Sequence, residues 1–318
     1  MALLASKRFK FTYGPVPSRR LGRSLGVSII PHKVCSYSCV YCQLGRTRAP
    51  RIKPYSYFDR GKVIAEIEER VLETSPDCIT FVGDGEPTLS ADLGWYIGEC
   101  KARWNIPVAV ITNGSLLFMK EVGQRLLKAD MLLPSLDAGD ISTFQAINRP
   151  HPELELQKII EGMIAFRREY KGLFRLEVMF VKDINDSELS LRNIRKLVWA
   201  IRPDRVDIAI PTRPPAESWV RPPDPDRILY AQRLLRAAQV MTWPEEGAFD
   251  FAGFDTLFDA VIALASRHPL RWNQAKHLEE AFGQNGELER LVRMEKLSTV
   301  KYGESQFIIP PAEESAGD

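Results

Sequence analysis

Between residues 27 and 240 the chain alternates short apolar runs of strand length with helix-like stretches. The runs are Val27–Pro31, Cys78–Val82, Val108–Thr112, Met131–Leu136, Arg175–Val181 and Val206–Ile210. Helical patterns lie between them at Gly61–Leu72, Leu93–Arg103, Lys120–Lys128, Leu154–Tyr170 and Ser187–Ile201, and Asp226–Val240 follows the last run. Few folds accept this pattern. Strands separated by helices lie parallel, with the helices outside, so the expected class is α/β. In such sheets the loops at the carboxyl ends of the strands carry ligands and chemistry. The motifs below fall at those ends.

After residue 240 the pattern changes. Met241–Asp255, with Pro244, Glu245, Glu246 and Gly247, reads as a linker. Leu257–Ser266, Trp272–Phe282 and Glu287–Leu297 read as helices, and Ser298–Tyr302 and Ser305–Ile309 as a hairpin around Gly303-Glu304. This order suits a small α+β, winged-helix-like module; a helical extension ending in a hairpin is the plainer alternative. The expected organisation is a barrel over 1–240, a linker over 241–255, a module over 256–310 and a tail over 311–318.

The first run leads into Cys35-Ser36-Tyr37-Ser38-Cys39-Val40-Tyr41-Cys42. Three thiolates at C-x3-C-x2-C spacing can hold three irons of a [4Fe–4S] cluster and leave the fourth open. A structural zinc site needs four ligands, for which His32 is the nearest supplement. Three inert cysteines are the remaining alternative. Cys78 and Cys100 fall in a strand and a helix and read as small buried apolar residues. They cannot supply a second four-cysteine site. Five cysteines, three of them clustered, do not make a disulfide framework. Only a few apolar residues precede Lys7 and Arg8, and no apolar run approaches bilayer length. The chain therefore reads as cytoplasmic, with no membrane partner.

The cysteine phrase, with Tyr41 as the aromatic before its last cysteine, resembles the signature of the radical S-adenosylmethionine (radical SAM) superfamily. The resemblance implies a partial (β/α)6 TIM-like barrel with one [4Fe–4S] cluster on Cys35, Cys39 and Cys42. It implies S-adenosylmethionine on the open iron, cleaved after reduction to a 5′-deoxyadenosyl radical that abstracts hydrogen. Phe81-Val82-Gly83-Asp84-Gly85-Glu86-Pro87-Thr88-Leu89 resembles the superfamily's G-G-E-P segment through Gly83, Gly85, Glu86 and Pro87, with Asp84 interrupting the glycine pair. There Glu86 would accept from the methionine ammonium. Asn113, Ser135 and Asp137 resemble positions that contact the ribose or the methionine carboxylate. Asp137 reads equally well as the cap of a helix beginning near Asp140. Thr212, in Ile210–Glu217, resembles the backbone that cradles adenine. Over residues 11–217 the chain resembles a branch grouped with wyosine-type Fe–S oxidoreductases. The reaction does not transfer with that resemblance. Electrons would come from an external flavodoxin- or ferredoxin-like donor.

No Asp or Glu precedes Asp59, whereas eleven Lys or Arg do, leaving a net charge of −9 on the remainder. A positive segment around three thiolates offsets the cluster and attracts an anion. Arg19, Arg20 and Arg23 lie in the Gly/Pro/Ser-rich stretch Tyr13–Gly26, which reads as a loop across the barrel's open side. With Lys182 and Arg213 they are the candidate substrate contacts. Arg175 and Glu177 share one strand face and would pair with each other or bind a ligand. The substrate reading is an RNA or protein docked on the Arg-rich segment; the alternative is a small anionic metabolite clamped by Arg213 or Lys182. DNA binding by the last module is the weakest reading, because residues 255–318 carry 7 Lys/Arg against 11 Asp/Glu.

Overall fold

The structure, a computed structural model, describes residues 9–236, 239–241 and 253–311. Most of the linker expected at 241–255 and nearly all of the tail at 311–318 lie outside the described residues. One sheet holds β1 (Thr12–Ser18), β2 (Gly22–Val27), β3 (Cys78–Phe81), β4 (Val108–Thr112), β5 (Met131–Pro134), β6 (Leu173–Met179), β7 (Arg205–Ala209) and β8 (Gln239–Met241), in chain order. Strands β2 to β8 are mutually parallel, and β1 runs antiparallel to β2. The parallel strands curl into a half-barrel, the partial TIM-like form expected. Helices α1 (Arg60–Thr74), α2 (Leu93–Arg103), α3 (Lys120–Leu126), α4 (Ile141–Ile147), α5 (Leu156–Glu169), α6 (Glu188–Ile201) and α7 (Pro225–Leu235) connect them.

Local chemistry sets these boundaries. Helix α6 starts where the Ser187 hydroxyl accepts from the Ser190 N–H at 3.2 Å and stops where Arg202 turns left-handed. Its buried Leu191, Ile194, Val198 and Ile201 follow the 3–4–3 spacing of one helix face. Each such side chain contributes about 1.5–3 kcal/mol on burial.

The structure corrects the expected elements in three places. The Tyr13–Gly26 stretch is not a loop: Thr12–Ser18 and Gly22–Val27 form a hairpin, with an irregular register between Tyr13 and Val16. Glycine is required at 26, where a Cβ would lie 2.3 Å from the Tyr13 ring. The first parallel strand ends at Val27, where Val27–Pro31 was expected to begin it; Ile29 and Ile30 are buried as part of a descending loop. Helix α7 stops at Leu235 because Arg236 is left-handed, and Gln239–Met241 adds a seventh parallel strand.

On β6, alternation points Arg175, Glu177 and Met179 into the half-barrel. Arg175 and Glu177 do not pair with each other. Arg175 donates two 2.8 Å bonds to Asp207 on β7, and Glu177 accepts from Arg20 of the β1–β2 turn. Ser24 and Thr80 share a 2.7 Å hydroxyl contact on the same inner wall.

The C-terminal residues form α8 (Leu257–Ala265), β9 (Leu270–Arg271), α9 (Trp272–Ala281), α10 (Glu287–Arg293), β10 (Ser298–Tyr302) and β11 (Ser305–Ile309). The expected helices and hairpin are present, and β9 adds a third antiparallel strand beside β11. Leu257, Val261, Leu264, Leu278, Leu288 and Ile308 make a separate core, against which Val16 of β1 packs. No helix among the described residues is long and apolar enough to cross a membrane.

Candidate active site

The cysteine loop leaves β2 and is pinned by backbone bonds to the C-terminal end of α4. Ser38 N–H donates to the Asn148 carbonyl and Val40 N–H to the Ile147 carbonyl, both at 3.0 Å. Tyr37 is buried and stacks edge-on against Phe144, with ring centroids 5.5 Å apart. A turn closes the motif, with Cys42 N–H 3.1 Å from the Cys39 carbonyl. Each sulfur faces a nitrogen donor. Cys35 receives Tyr37 N–H at 3.5 Å and the Asn113 amide at 3.7 Å. Cys39 receives the Asn148 amide at 3.5 Å and Cys42 the Lys33 ammonium at 3.3 Å. Donors aimed at sulfur suit thiolate ligands.

Burial pushes the Cys35 thiol up to about 12 and raises Cys39 as well. Without a cation these thiols stay protonated; a bound metal centre removes their protons. Among the described residues no three His, Cys, Asp or Glu groups converge on a single ion. His32, the supplement considered for zinc, faces Asp84 at 3.7 Å. The donor set offered to a cluster is three cysteine sulfurs, each with a nitrogen donor beside it.

The loop after β3 is zippered to the cysteine loop. Lys33 N–H donates to the Asp84 carbonyl at 2.6 Å, and Glu86 N–H to the Val34 carbonyl at 2.9 Å. Gly85 makes this possible, since a Cβ there would sit 2.0 Å from the Val34 oxygen. Gly83 takes φ +124°, a region that disfavours side chains. Gly85→Ala is therefore expected to separate the two loops and cut the iron retained after reconstitution several-fold, with the far-UV circular dichroism preserved. Full iron loading in that variant would show that the contact is dispensable.

Glu86 is 2% exposed and burial raises its carboxyl. Oε1 accepts from Thr88 N–H and the hydroxyls of Thr88 and Thr112, and Oε2 from Asn113 N–H at 2.7 Å. One lone pair of Oε2 remains for a ligand donor. Pro87 opens the short 3-10 turn that Glu86 caps. The Asn113 amide also donates to Ser36 at 2.8 Å, tying the end of β4 to the cysteine loop. Ser135, half-buried, pairs in the sheet with Glu177.

Asp137 does not cap the helix near residue 140; Asp140 does, accepting from Thr143 N–H at 2.9 Å. Asp137 instead accepts from the Tyr41 hydroxyl, from Asn148 at 2.7 Å and from Met179 N–H at 2.9 Å. Burial pushes its carboxyl up to about 6, against the pull of those hydrogen bonds. It thus braces Tyr41, and through Asn148 the Cys39 sulfur.

Inside the half-barrel lies a cavity of about 290 Å³ that reaches Gln43, the residue after the last cluster cysteine. Gly83 and Thr212 line it, as do Arg19, Arg20 and Arg213. Arg20 is only 10% exposed and is engaged with Glu177. Arg23 and Lys182 are not brought to the cavity. The Arg23 guanidinium donates to the carbonyls of Thr74 and Ser75 at the C-terminal end of α1. Lys182 pairs with Asp224 at 2.8 Å outside the cavity.

Sequence reasoning missed several members of the site. Glu217 accepts from Arg46 at 2.7 and 2.6 Å and from Arg149, joining the loop after β7 to the cysteine loop. The Arg46 bonds come first among the causes that hold its carboxyl below the usual range. Asp84 accepts from Arg267 of the C-terminal module at 3.0 Å. Burial works against ionised Asp84, but His32 and Arg267 still hold its carboxyl down. His268 also lines the cavity, with Nε2 2.6 Å from an Arg213 nitrogen. The interrupted glycine pair was the one local signal of this docking; nothing near residue 267 announced its target.

Residues 29–193 match the profile of the Radical SAM superfamily. A chain of Brachyspira hyodysenteriae described as GTPase Obg is 48% identical over 205 residues, covering 64% of this chain but only 30% of that one. A UPF0026 protein of Methanocaldococcus jannaschii is 35% identical over 273 residues, covering 84% of this chain and 85% of the relative. Among solved structures, a radical SAM methyltransferase from Sphaerobacter thermophilus superposes with a TM-score of 0.50 at 18% identity. That match covers 67% of this chain and 63% of the other, and it bears on the fold alone.

Proposed function

The chain belongs to the radical SAM superfamily, and from that premise we propose that it uses one [4Fe–4S] cluster and S-adenosylmethionine to abstract hydrogen from an anionic substrate held in the half-barrel. The cluster, when bound, supplies the electron that cleaves S-adenosylmethionine to the 5′-deoxyadenosyl radical. Cys35, Cys39 and Cys42 would hold three irons, with Lys33, Asn113 and Asn148 supporting the sulfurs. Gly83, Glu86, Asn113, Ser135 and Thr212 stand at the strand ends where the cofactor would lie. Asp137 and Tyr41 act here as a brace.

The observation that carries the substrate class is the cavity beside Gln43, lined among the described residues by Arg19, Arg20, Arg213 and Arg267 and by the carboxylate Glu177, with Asp84 paired to Arg267 behind it. A pocket walled by arginines favours an anion. It also favours the small-metabolite reading over RNA or protein docking on the N-terminal arginines. Arg20 is spent inside the barrel and Arg23 on carbonyls, so neither is offered to a macromolecule.

The test is anaerobic reconstitution, reduction and addition of S-adenosylmethionine with perdeuterated small carboxylates and phosphate esters. The expected result is 5′-deoxyadenosine carrying deuterium from one such anion. Deuterium transfer only from an RNA or protein fraction would overturn the small-anion reading. No 5′-deoxyadenosine under any condition would overturn the radical chemistry.

A further inference from the structure

We infer that Arg19, Arg20 and Glu177 form a subsite for an aminocarboxylate, with the substrate's carboxylate on the two arginines and its ammonium on Glu177. This rests on the anionic-substrate reading above and narrows it from any small anion to an amino acid or a close analogue.

Arg19 and Arg20 stand in the turn between β1 and β2, Glu177 projects from β6 into the half-barrel, and all three line the cavity. Arg20 donates through Nη1 to Glu177 Oε2. Its Nε is sealed among protein atoms and makes no hydrogen bond. The edge that Arg20 offers the cavity is therefore Nη2. Among the described residues, Glu177 Oε1 and the Arg19 guanidinium have no hydrogen-bond or ion-pair partner. Two donors and one acceptor thus open on the same space.

This balance selects for more than negative charge. A bare carboxylate on the arginines would lie beside the open oxygen of Glu177 and be repelled by it. An ammonium next to that carboxylate turns the repulsion into a charge-assisted hydrogen bond. Because Arg20 and Glu177 are already bonded to each other, their open atoms are held side by side, as are the two charged groups of an amino acid. The two side chains are only 10% and 17% exposed, so their bonds to a ligand are weakly screened.

The subsite is also fixed relative to the cysteine loop. Leu136 N–H donates to the Glu177 carbonyl at 2.8 Å, and Ser135 bridges to the same residue. Two residues on, Met179 N–H donates to Asp137, the carboxylate that braces Tyr41 and, through Asn148, the Cys39 sulfur. On the other side, the turn is closed on Ser18, whose carbonyl accepts from Leu21 N–H and whose hydroxyl accepts from Arg20 N–H, both at 3.4 Å. A ligand spanning this turn and β6 would keep a set distance from the cluster cysteines, as hydrogen abstraction requires.

The test is equilibrium dialysis of radiolabelled L-alanine, L-lactate and propionate against the full-length reconstituted protein, with and without S-adenosylmethionine. The probes share a carboxylate and differ at the second carbon, which carries an ammonium, a hydroxyl or only hydrogen. With the cofactor present, alanine is expected to saturate at one equivalent per chain and to bind at least about tenfold tighter than propionate, with lactate between. Glu177→Gln should cut that preference to less than about threefold. Arg19→Gln and Arg20→Gln should each weaken alanine at least about fivefold. Arg168→Gln, on the exposed side of α5, should change binding less than about twofold. Melting curves check folding; where the variants that break the Arg20–Glu177 pair do not fold, Arg19→Gln decides, since it breaks no ion pair among the described residues. Equal binding of alanine and propionate overturns the subsite and leaves the anionic reading standing. Binding of none of the probes also overturns it, while the deuterium experiment above decides the anionic reading separately. Alanine binding that disappears when S-adenosylmethionine is added would mean that the cofactor's own aminocarboxylate fills the place, and overturns the substrate assignment. Wild-type alanine binding in Arg19→Gln, an undiminished preference in Glu177→Gln, or an equal loss in Arg168→Gln does the same. Alanine binding in a protein that never forms 5′-deoxyadenosine would refute the radical function and leave the subsite standing.

Discussion

Cys39→Ala is expected to abolish both cluster retention and the formation of 5′-deoxyadenosine, lowering the latter by more than about 100-fold. The reason is local. The middle cysteine of the motif is held through Asn148 by Asp137, which also braces Tyr41 and the end of β6. Removing its sulfur takes one of three protein ligands from the cluster and leaves that network with nothing to orient. The fold itself should persist, because the loop is pinned by the backbone bonds of Ser38 and Val40, which alanine keeps. Iron content and 5′-deoxyadenosine would be measured on the same samples. Retained cleavage in the variant would refute the assignment of the cluster to this motif.

The second large effect concerns stability. Asp207 is fully buried, and its two oxygens each accept a 2.8 Å bond from Arg175, whose side chain is 6% exposed. Asp207→Ala would take both of these charge-assisted bonds from a guanidinium inside the barrel wall. Breaking a buried pair from one side costs about 3–5 kcal/mol, whereas replacing both partners by apolar groups of similar size is often close to neutral. Asp207→Ala is thus expected to lower the denaturant midpoint strongly, and Arg175→Met with Asp207→Leu to restore most of it. Equal losses in the single and double variants would mean that the pair itself, and not a guanidinium left with fewer bonds, matters.

Much of the barrel was legible in the sequence because its signals are local. Leu93–Arg103 is bounded as expected, and Val108–Thr112 is a strand to the residue. The cysteine motif and the segment around Glu86 lie at strand ends and meet, as their chemistry demanded. What was not legible depends on partners distant in the chain. Prolines and glycines in Tyr13–Gly26 suggested a loop, because strand propensity is low there; pairing with β2 and the Tyr13 ring packed over Gly26 overrode it. Arg175 and Glu177 share a face, yet their partners came from residues 207 and 20, which no strand periodicity reveals. Asp84 and Arg267 are 183 positions apart. Only the odd residue within the glycine pair hinted that something would meet it.

The hairpin also bears on how molecules of this protein behave toward one another. A half-barrel, unlike a closed one, ends in strand edges that could recruit a second chain. At one edge stands β1, where Pro15 and Pro17 have no N–H to offer and the Tyr13–Val16 irregularity breaks the even spacing of hydrogen-bonding groups. The same residues that hid this strand from a propensity reading make it a poor template for intermolecular zipping. The fold can thus stay open along its side without inviting aggregation at that edge.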